Sequence, residues 1–343
     1  MACLLRNNVV FLVQGYEPLI EGWSKEVRLL LEETRGSVLI DFRATRNALT
    51  RRIIRIKNGP LSFLPALPVA RIVGNKYHCF SFMGDRITPH ILGKGRAIAT
   101  IVGPGSVEKP VREHERFHTI CVECARDHRI YRESGFDESR LKVVYPCVTD
   151  GSVDVGLKEP KDRASNRVLV GSIPFSMQQF QDRGMSFALQ TAAFAEDLLF
   201  VFPCRTQVVA EGLRRDAKRR GVKNLLVHKW IPASSEKLYE KIGCTAFFFT
   251  SIKNNKSCPN MAVESVQHGT PVVMTSYVGI SQELKQQDVA RVISLSPQEA
   301  AEAAIWTVDN ANRLRERCRM VAQHMFDKRR FLNQYAGLYS DIR

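Results

Sequence analysis

A short stretch at residues 253–276, KNNKSCPNMAVESVQHGTPVVMTS, runs from a polar loop through a helix into an apolar strand. Asn260 is suited to the N-cap of that helix and Gly269 to its C′ position, and Pro271 cannot continue it. The helix is therefore expected to begin near Met261 and to carry a single acid.

This helix is suited to bind a phosphate and a neighbouring diol. The N–H groups of a first turn lack internal acceptors and carry the positive end of the helix dipole, so they attract an anion. These N–H groups belong to Met261, Ala262 and Val263. Lys253 and Lys256 would add positive charge, and Glu264, one turn in, could accept two hydrogen bonds from a ribose. The same pattern also fits an ordinary loop–helix–strand unit with a solvated acid.

The elements that would position this helix alternate between strands and helices. Strands are predicted at residues 9–15, 37–42, 77–83, 97–103, 118–125, 141–148, 167–173, 198–204, 224–231, 244–252, 271–276 and 290–295. Further helices are predicted at residues 21–35, 184–195, 206–220, 234–242, 280–286, 297–310 and 312–326. The strands are apolar throughout, which indicates parallel sheets covered on both faces. The predicted fold is α/β, with two Rossmann-like doubly wound domains facing a cleft.

A polar segment at 149–167, TDGSVDVGLKEPKDRASNR, lacks a hydrophobic period and is predicted to be a linker. A chain of 343 residues is long enough for two domains with separate cores. We therefore predict one domain over residues 1–160 and a second over 161–325.

The net charge of +15, from 50 Lys and Arg against 35 Asp and Glu, indicates an acidic partner. Nucleic acid, an anionic membrane surface and a phosphorylated substrate all qualify. At residues 42–84, Lys and Arg are the only charged residues. Within this basic segment, RATRNALTRRIIRIKN fits a basic amphipathic helix on anionic lipid, or a solvated basic face over a packed helix.

Nine scattered cysteines do not suggest a disulfide framework, and no apolar run reaches the roughly eighteen residues of a membrane span. The start, MACLLRNNVVFLVQG, is expected to form the first strand rather than a secretory signal. Cys121 and Cys124 form the CVEC motif without a second ligand pair, so we expect buried free thiols and no metal site. The expected location is cytoplasmic, with peripheral contact at the inner face of the membrane through the basic segment.

One family shares the pattern of the opening stretch. PNMAVESVQHGTPVVMTSYVGISQEL resembles the donor-binding segment of GT-B glycosyltransferases of the glycosyltransferase 4 type, where a Pro-containing loop precedes a helix with a Glu and a Gly-x-Pro-Val-Val strand. The likeness covers residues 118–343 well and 1–117 in outline. Further segments that resemble the family, in the same order, are 140–151, 168–194, 225–251 and 326–342. The last resembles the segment that crosses back onto the first domain, so 326–343 is expected to join it.

The resemblance implies a set of donor-binding residues. Glu264 would hold the ribose of the nucleotide, and Arg183 matches the basic residue that neutralises the diphosphate and the leaving group. The remaining matches are Asn260, Met261 and Ala262 at the diphosphate, Trp230 and Ile231 beside the nucleobase, and Gly22, in the Gly15–Gly22 loop, near the donor phosphates.

The chain departs from the family pattern at three places. The first of two family glutamates falls on Lys256, and a second family arginine falls on Ser172, so Lys256 is assigned with Arg183 to stabilise the leaving group. The first-domain histidine of the family has no counterpart in IVGPGS. His78 and His118 are expected to be packed strand residues, so no catalytic base is assigned.

The resemblance implies transfer of a hexose from a UDP- or GDP-sugar, with retention, to a glycan, lipid-linked or other acceptor. The nucleotide sugar is a substrate and no cofactor is expected; the chain also has no Asp-x-Asp for a metal-bound diphosphate. The basic segment would dock the acceptor side.

Two other classes of function stay open. A nucleic-acid-directed protein, including a DNA-modifying glycosyltransferase, is permitted by the charge, although no nucleic-acid-binding motif is found. A non-catalytic GT-B-like binding protein is suggested by Lys256, Ser172 and the missing histidine. Other GT-B enzymes, such as epimerases and phosphorylases, share the fold.

Overall fold

The computed structural model of the chain describes most of the sequence. It describes residues 8–13, 16, 22–44, 48–50, 52–57, 63–80, 95–103, 114–148, 166–174, 176–229, 238–239, 241–252 and 257–342. The chain divides into two compact units, Met1–Thr149 with Asp327–Arg343, and Asp150–Phe326. The predicted boundary at residue 160 and residues 149–165 of the predicted linker lie outside the described residues, whereas Arg167, the last residue predicted for the linker, begins a strand, Arg167–Val170.

The first unit contains one sheet of eight strands, in the order β3-β4-β2-β1-β5-β6-β7-β8. All neighbours pair in parallel except β3 and β4. Its elements are β1 (Val9–Val13), α1 (Gly22–Glu33), β2 (Val38–Ala44), β3 (Ala48–Leu49), β4 (Ile53–Lys57), α2 (Phe63–Val73), β5 (Lys76–Phe80), β6 (Ala97–Ile101), β7 (Thr119–Val122), α3 (Ala125–Glu133) and β8 (Leu141–Val143).

The second unit contains a parallel sheet of six strands, in the order β11-β10-β9-β12-β13-β14. Its elements are β9 (Arg167–Val170), α4 (Met185–Phe194), β10 (Leu199–Cys204), α5 (Gln207–Arg220), β11 (Leu225–Lys229), β12 (Cys244–Phe247), α6 (Asn260–Gln267), β13 (Val272–Thr275), α7 (Ser281–Gln286), β14 (Ala290–Ile293), α8 (Pro297–Asp309) and α9 (Ala311–Met325). The last helix, α10 (Lys328–Asp341), belongs to the first unit.

Strand β1 shows why the strands are apolar throughout. All five of its residues are buried. Val9, Phe11 and Val13 enter the core on one face of the sheet, whereas Val10 and Leu12 enter the core on the other face. Because successive side chains of a strand point to opposite faces, a sheet covered on both faces requires apolar residues at every position. The predicted parallel, doubly covered sheet is confirmed.

The prediction of a basic amphipathic helix at residues 43–58 is wrong. The described part of that segment forms the end of β2, then β3 and β4, with β4 parallel to β2 and antiparallel to β3. Three of its apolar residues, Ile53, Ile54 and Ile56, are isoleucines, whose β-branched side chain favours a strand. The guanidinium of Arg52 donates to the backbone oxygens of Thr34 and Ser37, so this arginine contributes to the fold.

A buried hydrogen-bond cluster joins α10 to the first sheet. His78, in β5, has Nδ1 2.7 Å from the hydroxyl of Tyr339 and Nε2 2.7 Å from Oγ1 of Thr100. Thr100 Oγ1 also lies 2.8 Å from the hydroxyl of Tyr335. Burial holds the pKa of His78 well below its ordinary range. The expectation that His78 is a packed strand residue is confirmed.

The CVEC cysteines are also packing residues. Cys121, in β7, and Cys124, just before α3, are buried free thiols, as predicted. Burial raises the pKa of Cys121 to about 12, so it is a thiol at neutral pH. The described residues include no group of three His, Cys, Asp or Glu side chains placed to hold a metal ion. Within the same residues, no helix is both long and apolar enough to cross a membrane.

Candidate functional site

The second sheet has a topological switch point between β9 and β12. Strand β9 pairs with β10 on one side and with β12 on the other, so the chain winds outward in opposite directions from this pair. In doubly wound sheets, ligands bind beyond the carboxyl ends of the strands at such a point, because the connecting loops diverge there and leave a crevice. The segments that follow β9 and β12 are therefore where a ligand site is expected.

Ser172 and Phe248 join these two segments. Gly171 donates its N–H to Ala246 O at 2.8 Å, and Ser172 Oγ accepts the N–H of Phe248 at 3.3 Å. Ser172 is fully buried. A Cβ on Gly171 would lie 2.3 Å from the ring of Phe247, so a glycine is needed for the two segments to approach this closely. Ser172 thus lies at the switch point and bonds to the protein's own backbone.

The loop that carries Arg183 is fixed to the segment after β12. Thr250 donates its N–H to Asp182 O at 3.0 Å and its hydroxyl to Gln181 O at 2.7 Å. Gly184 has a φ of +71°, and a Cβ there would lie 1.6 Å from the backbone oxygen of Phe248. The guanidinium carbon of Arg183 is 5.1 Å from the centroid of the Phe249 ring, within cation–π range. The loop therefore holds one arginine at the switch point.

Helix α6 begins one residue earlier than predicted. Its N-cap is Pro259 rather than Asn260, and no side chain caps it. The N–H groups of Ala262 and Val263 donate to Pro259 O at 2.8 and 3.3 Å, so the prediction that they lack acceptors is wrong. Proline fits because its fixed φ suits the residue at a helix start and its missing N–H costs nothing there. Gly269, with a φ of +79°, ends the helix as predicted.

The segment before α6 is held at the same edge of the sheet. Ile280, which follows β13, donates its N–H to Ser257 O at 3.0 Å. Thr275, the last residue of β13, donates its hydroxyl to Phe249 O at 2.6 Å. Three parallel strands, β9, β12 and β13, therefore position the Arg183 loop and the start of α6 at the same edge of the second sheet.

Glu264 is a nearly buried carboxylate one turn into α6, with 4% of its surface exposed. Its Oε2 accepts the hydroxyl of Tyr239 at 3.1 Å. The Tyr239 ring stacks on His268 with centroids 5.2 Å apart and an interplanar angle of 14°. This bond orients the carboxylate, and a carboxylate as a group can accept several hydrogen bonds.

The predicted site residues fall into three groups. Ser172, Arg183 and the α6 residues meet at the switch point of the second unit. Gly22 is the first residue of α1 in the first unit. The predictions for Trp230, Ile231, Lys253 and Lys256 lie outside the described residues.

Sequence reasoning missed two contributors to this site. Tyr239 lies in a segment predicted only as a helix, and its bond to Glu264 spans 25 positions. Gly184 had a usable signal, since a glycine directly before a helix often marks a residue with positive φ.

No family model matches the sequence, and no curated protein matches it. Solved structures do match it in fold. HepE from Anabaena in complex with UDP and glucose is 14% identical, with a TM-score of 0.75 over 98% of this chain and 100% of its own. A glycosyltransferase from Rickettsia africae is 11% identical, with a TM-score of 0.74 over 98% of each chain. Sucrose-phosphate synthase from Thermosynechococcus elongatus is 13% identical, with a TM-score of 0.72 over 97% of this chain and 98% of its own.

Identities this low establish the fold alone. The structural matches confirm the predicted GT-B architecture of two Rossmann-like units with a C-terminal helix.

Proposed function

We propose that this GT-B chain is a glycosyltransferase that moves a hexose from a UDP- or GDP-sugar to a glycan, lipid-linked or other acceptor, with retention at the anomeric carbon. One observation carries the proposal. At the switch point of the second sheet, a fixed arginine and the start of α6 lie at the same edge, with a buried carboxylate one turn into that helix.

A nucleoside diphosphate has the chemistry that this edge would recognise. Arg183 and the positive end of the α6 dipole suit the diphosphate, with Asn260, Met261 and Ala262 at the helix start. Glu264 suits the ribose, because one carboxylate can accept hydrogen bonds from both hydroxyls of a vicinal diol. Among the neighbours in fold, HepE was solved in complex with UDP and with UDP-glucose, which supports a nucleotide-sugar donor for this chain.

The reaction breaks the bond between the anomeric carbon and the diphosphate oxygen, and forms one between that carbon and the acceptor oxygen. The acceptor hydroxyl gives its proton to the departing phosphate oxygen, so the atoms balance without a protein base. Arg183 and Lys256 would stabilise the charge that develops on the diphosphate, which is preorganised electrostatic catalysis. Lys256 would replace one cation that the family places at Ser172.

Other parts of the donor would be held by residues whose roles follow from the resemblance. Trp230 and Ile231 would lie beside the nucleobase, and Gly22 near the donor phosphates. A single-residue test of each can follow once the nucleotide is known.

Calorimetric titration of UDP and GDP into the protein tests the donor site. We expect one of them to bind with micromolar affinity, and Glu264→Gln to weaken binding by about 1–3 kcal/mol, the value of hydrogen bonds to a charged group. Gln is preferred to Ala because its amide oxygen can still accept the Tyr239 hydroxyl. Glu299→Gln, on α8 and exposed, is the matched control. If neither nucleotide binds to folded protein, the proposal is wrong.

Transfer from a labelled donor then separates an active enzyme from a non-catalytic binding protein. A binding protein would hold the nucleotide sugar and release no nucleoside diphosphate. Co-sedimentation with anionic vesicles and retention on DNA distinguish a lipid-linked acceptor from a nucleic acid.

A further inference from the structure

A pocket lies in the first unit, at the edge of the sheet that is formed by the amino ends of its parallel strands. Strands β6, β7 and β8 are parallel neighbours, so their amino ends share one edge of the sheet. The pocket, of about 540 Å³, lies where this edge meets the last turn of α10. None of the residues that line this pocket is among those proposed to bind the nucleotide sugar.

One wall of the pocket is positively charged. Arg140 ends a 3-10 turn directly before β8, Lys142 lies within β8, and both line the pocket. The guanidinium of Arg140 donates to the backbone oxygens of Glu115, Phe117 and His118, which fixes its position. Lys142 is exposed, and its flexible ammonium can approach a ligand.

The remaining polar groups of the pocket suit hydroxyls. Ser139 donates its hydroxyl to Asp137 Oδ1 at 2.7 Å, so its oxygen acts as an acceptor toward the pocket. Asp341, at the end of α10, adds an exposed carboxylate. His118 lies directly before β7, is half-buried and lines the pocket, with Nδ1 3.0 Å from Thr119 Oγ1, so the prediction that it is a packed strand residue is wrong.

The floor of the pocket is apolar. Phe117 is fully buried and Leu338 is 8% exposed, and both line the pocket. An apolar floor with hydroxyl-binding groups beside it suits a sugar ring, whose C–H face is apolar and whose rim is polar. The volume lies within the range of small-ligand sites, about 300–1,000 Å³.

We propose that this pocket binds a small phosphorylated sugar, with the phosphate at Arg140 and Lys142 and the sugar hydroxyls at Ser139 and Asp341. A ligand needs both a phosphate and a sugar to match these residues. Arg140 and Lys142 are positively charged and suit a phosphate, whereas the Asp341 carboxylate repels an anion and suits sugar hydroxyls. The site goes beyond glycosyl transfer and does not depend on it.

Titration of the full chain with glucose 6-phosphate, glucose and inorganic phosphate tests the proposal. Binding is followed by amide chemical shifts, which report directly on Gly95, Thr119 and Lys142. We expect glucose 6-phosphate to bind more tightly than either fragment and to shift these amides. Lys142→Ala is expected to weaken binding about tenfold, as for one hydrogen bond to a charged group. Asp341→Asn should weaken the binding of glucose 6-phosphate but not the binding of inorganic phosphate.

Two variants serve as controls. Lys223→Ala removes the same charge from an exposed site in the second unit, and Arg183→Ala alters the nucleotide site; both should leave binding unchanged. The proposal is overturned if the chemical shifts do not saturate as glucose 6-phosphate is added. It is also overturned if Lys142→Ala binds glucose 6-phosphate as tightly as the wild type, or if inorganic phosphate binds to the wild type as tightly as glucose 6-phosphate. Loss of nucleotide binding would not affect the result, so the two proposals fail separately.

Discussion

The two units each bury a polar cluster, and the two clusters differ in what their side chains face. In the first unit, both ring nitrogens of His78 bond to protein hydroxyls, on Tyr339 and Thr100, in the interior of the fold. In the second unit, Glu264 accepts the hydroxyl of Tyr239 and lies one turn into the helix that begins at the carboxyl edge of the sheet. Burial of a titratable group is therefore a poor guide to function, whereas its place relative to the sheet is informative.

The comparison also separates a cluster that serves stability alone from a region proposed to bind a ligand. The His78 cluster bonds α10 to the first sheet, so its loss should affect the stability of the first unit. The Arg183 loop depends on the close approach of Gly184 to Phe248, so a change there should affect ligand binding and also the stability of the second unit. Variants in each region can test this difference.

The largest loss of stability is expected from Gly184→Ala. The new Cβ would overlap the backbone oxygen of Phe248, and backbone atoms on both sides would have to move. We expect a loss of more than about 4 kcal/mol in the free energy of unfolding of the second unit, measured by urea denaturation.

Gly221→Ala is the matched control for this prediction. Gly221 has the same φ, +71°, but a Cβ there would meet no described atom within 4 Å. Its free energy of unfolding should fall only by the cost of a non-glycine residue in the left-handed conformation, about 1–2 kcal/mol. Equal losses for the two variants would show that the contact with Phe248 does not fix the Arg183 loop.

Tyr339→Phe should give the next largest effect. It removes the hydroxyl that bonds to His78 Nδ1 and leaves a fully buried polar atom without that partner, which costs about 1–3 kcal/mol of stability. Tyr77→Phe is a suitable comparison, because Tyr77 is also a nearly buried tyrosine, but the bond from its hydroxyl to Gly74 O, at 2.8 Å, is only part-buried. If Tyr77→Phe lowers the free energy of unfolding as much as Tyr339→Phe does, the complete burial of the His78 cluster does not determine how much that cluster stabilises the first unit.

Acid should weaken the first unit through His78. Burial lowers the pKa of His78 in the folded state, so the unfolded chain, with a pKa near 6.5, binds the proton first. This contribution to stability is present above pH 6.5 and is lost as the pH falls below it, by at most about 1.4 kcal/mol per pH unit. Urea denaturation between pH 5 and 8 measures the slope, which His78→Gln should reduce.

Local sequence patterns predicted twelve of the fourteen described strands, but not β3 and β4. VVFLV was recognisable because a doubly covered strand must be apolar throughout, and Gly269 marks the end of α6 by its positive φ. The error at residues 43–58 arose because alternating basic and apolar residues fit a helix as well as a strand. The β-branched shape of the isoleucines was the deciding property there.

The candidate site was predictable only in part. Its segments were found from the pattern around Glu264 and from the family resemblance. The contacts that assemble it were not, since Ser172 and Phe248 are 76 positions apart and no local pattern encodes their pairing. The same holds for His78 and Tyr339, which are 261 positions apart.

The smallest effect is expected from the ion pair between Lys328 and Glu33, which also joins α10 to the first unit. Their charged atoms are 2.8 Å apart, but the side chains are 50% and 35% exposed. Solvent screens such a pair and its side-chain ordering costs entropy, so Lys328→Ala should lower stability by about 0.5 kcal/mol or less. Adding about 1 M salt should remove even that difference from wild type. A loss as large as that of Tyr339→Phe would mean that surface charge, rather than the buried hydroxyls, holds α10 to the sheet.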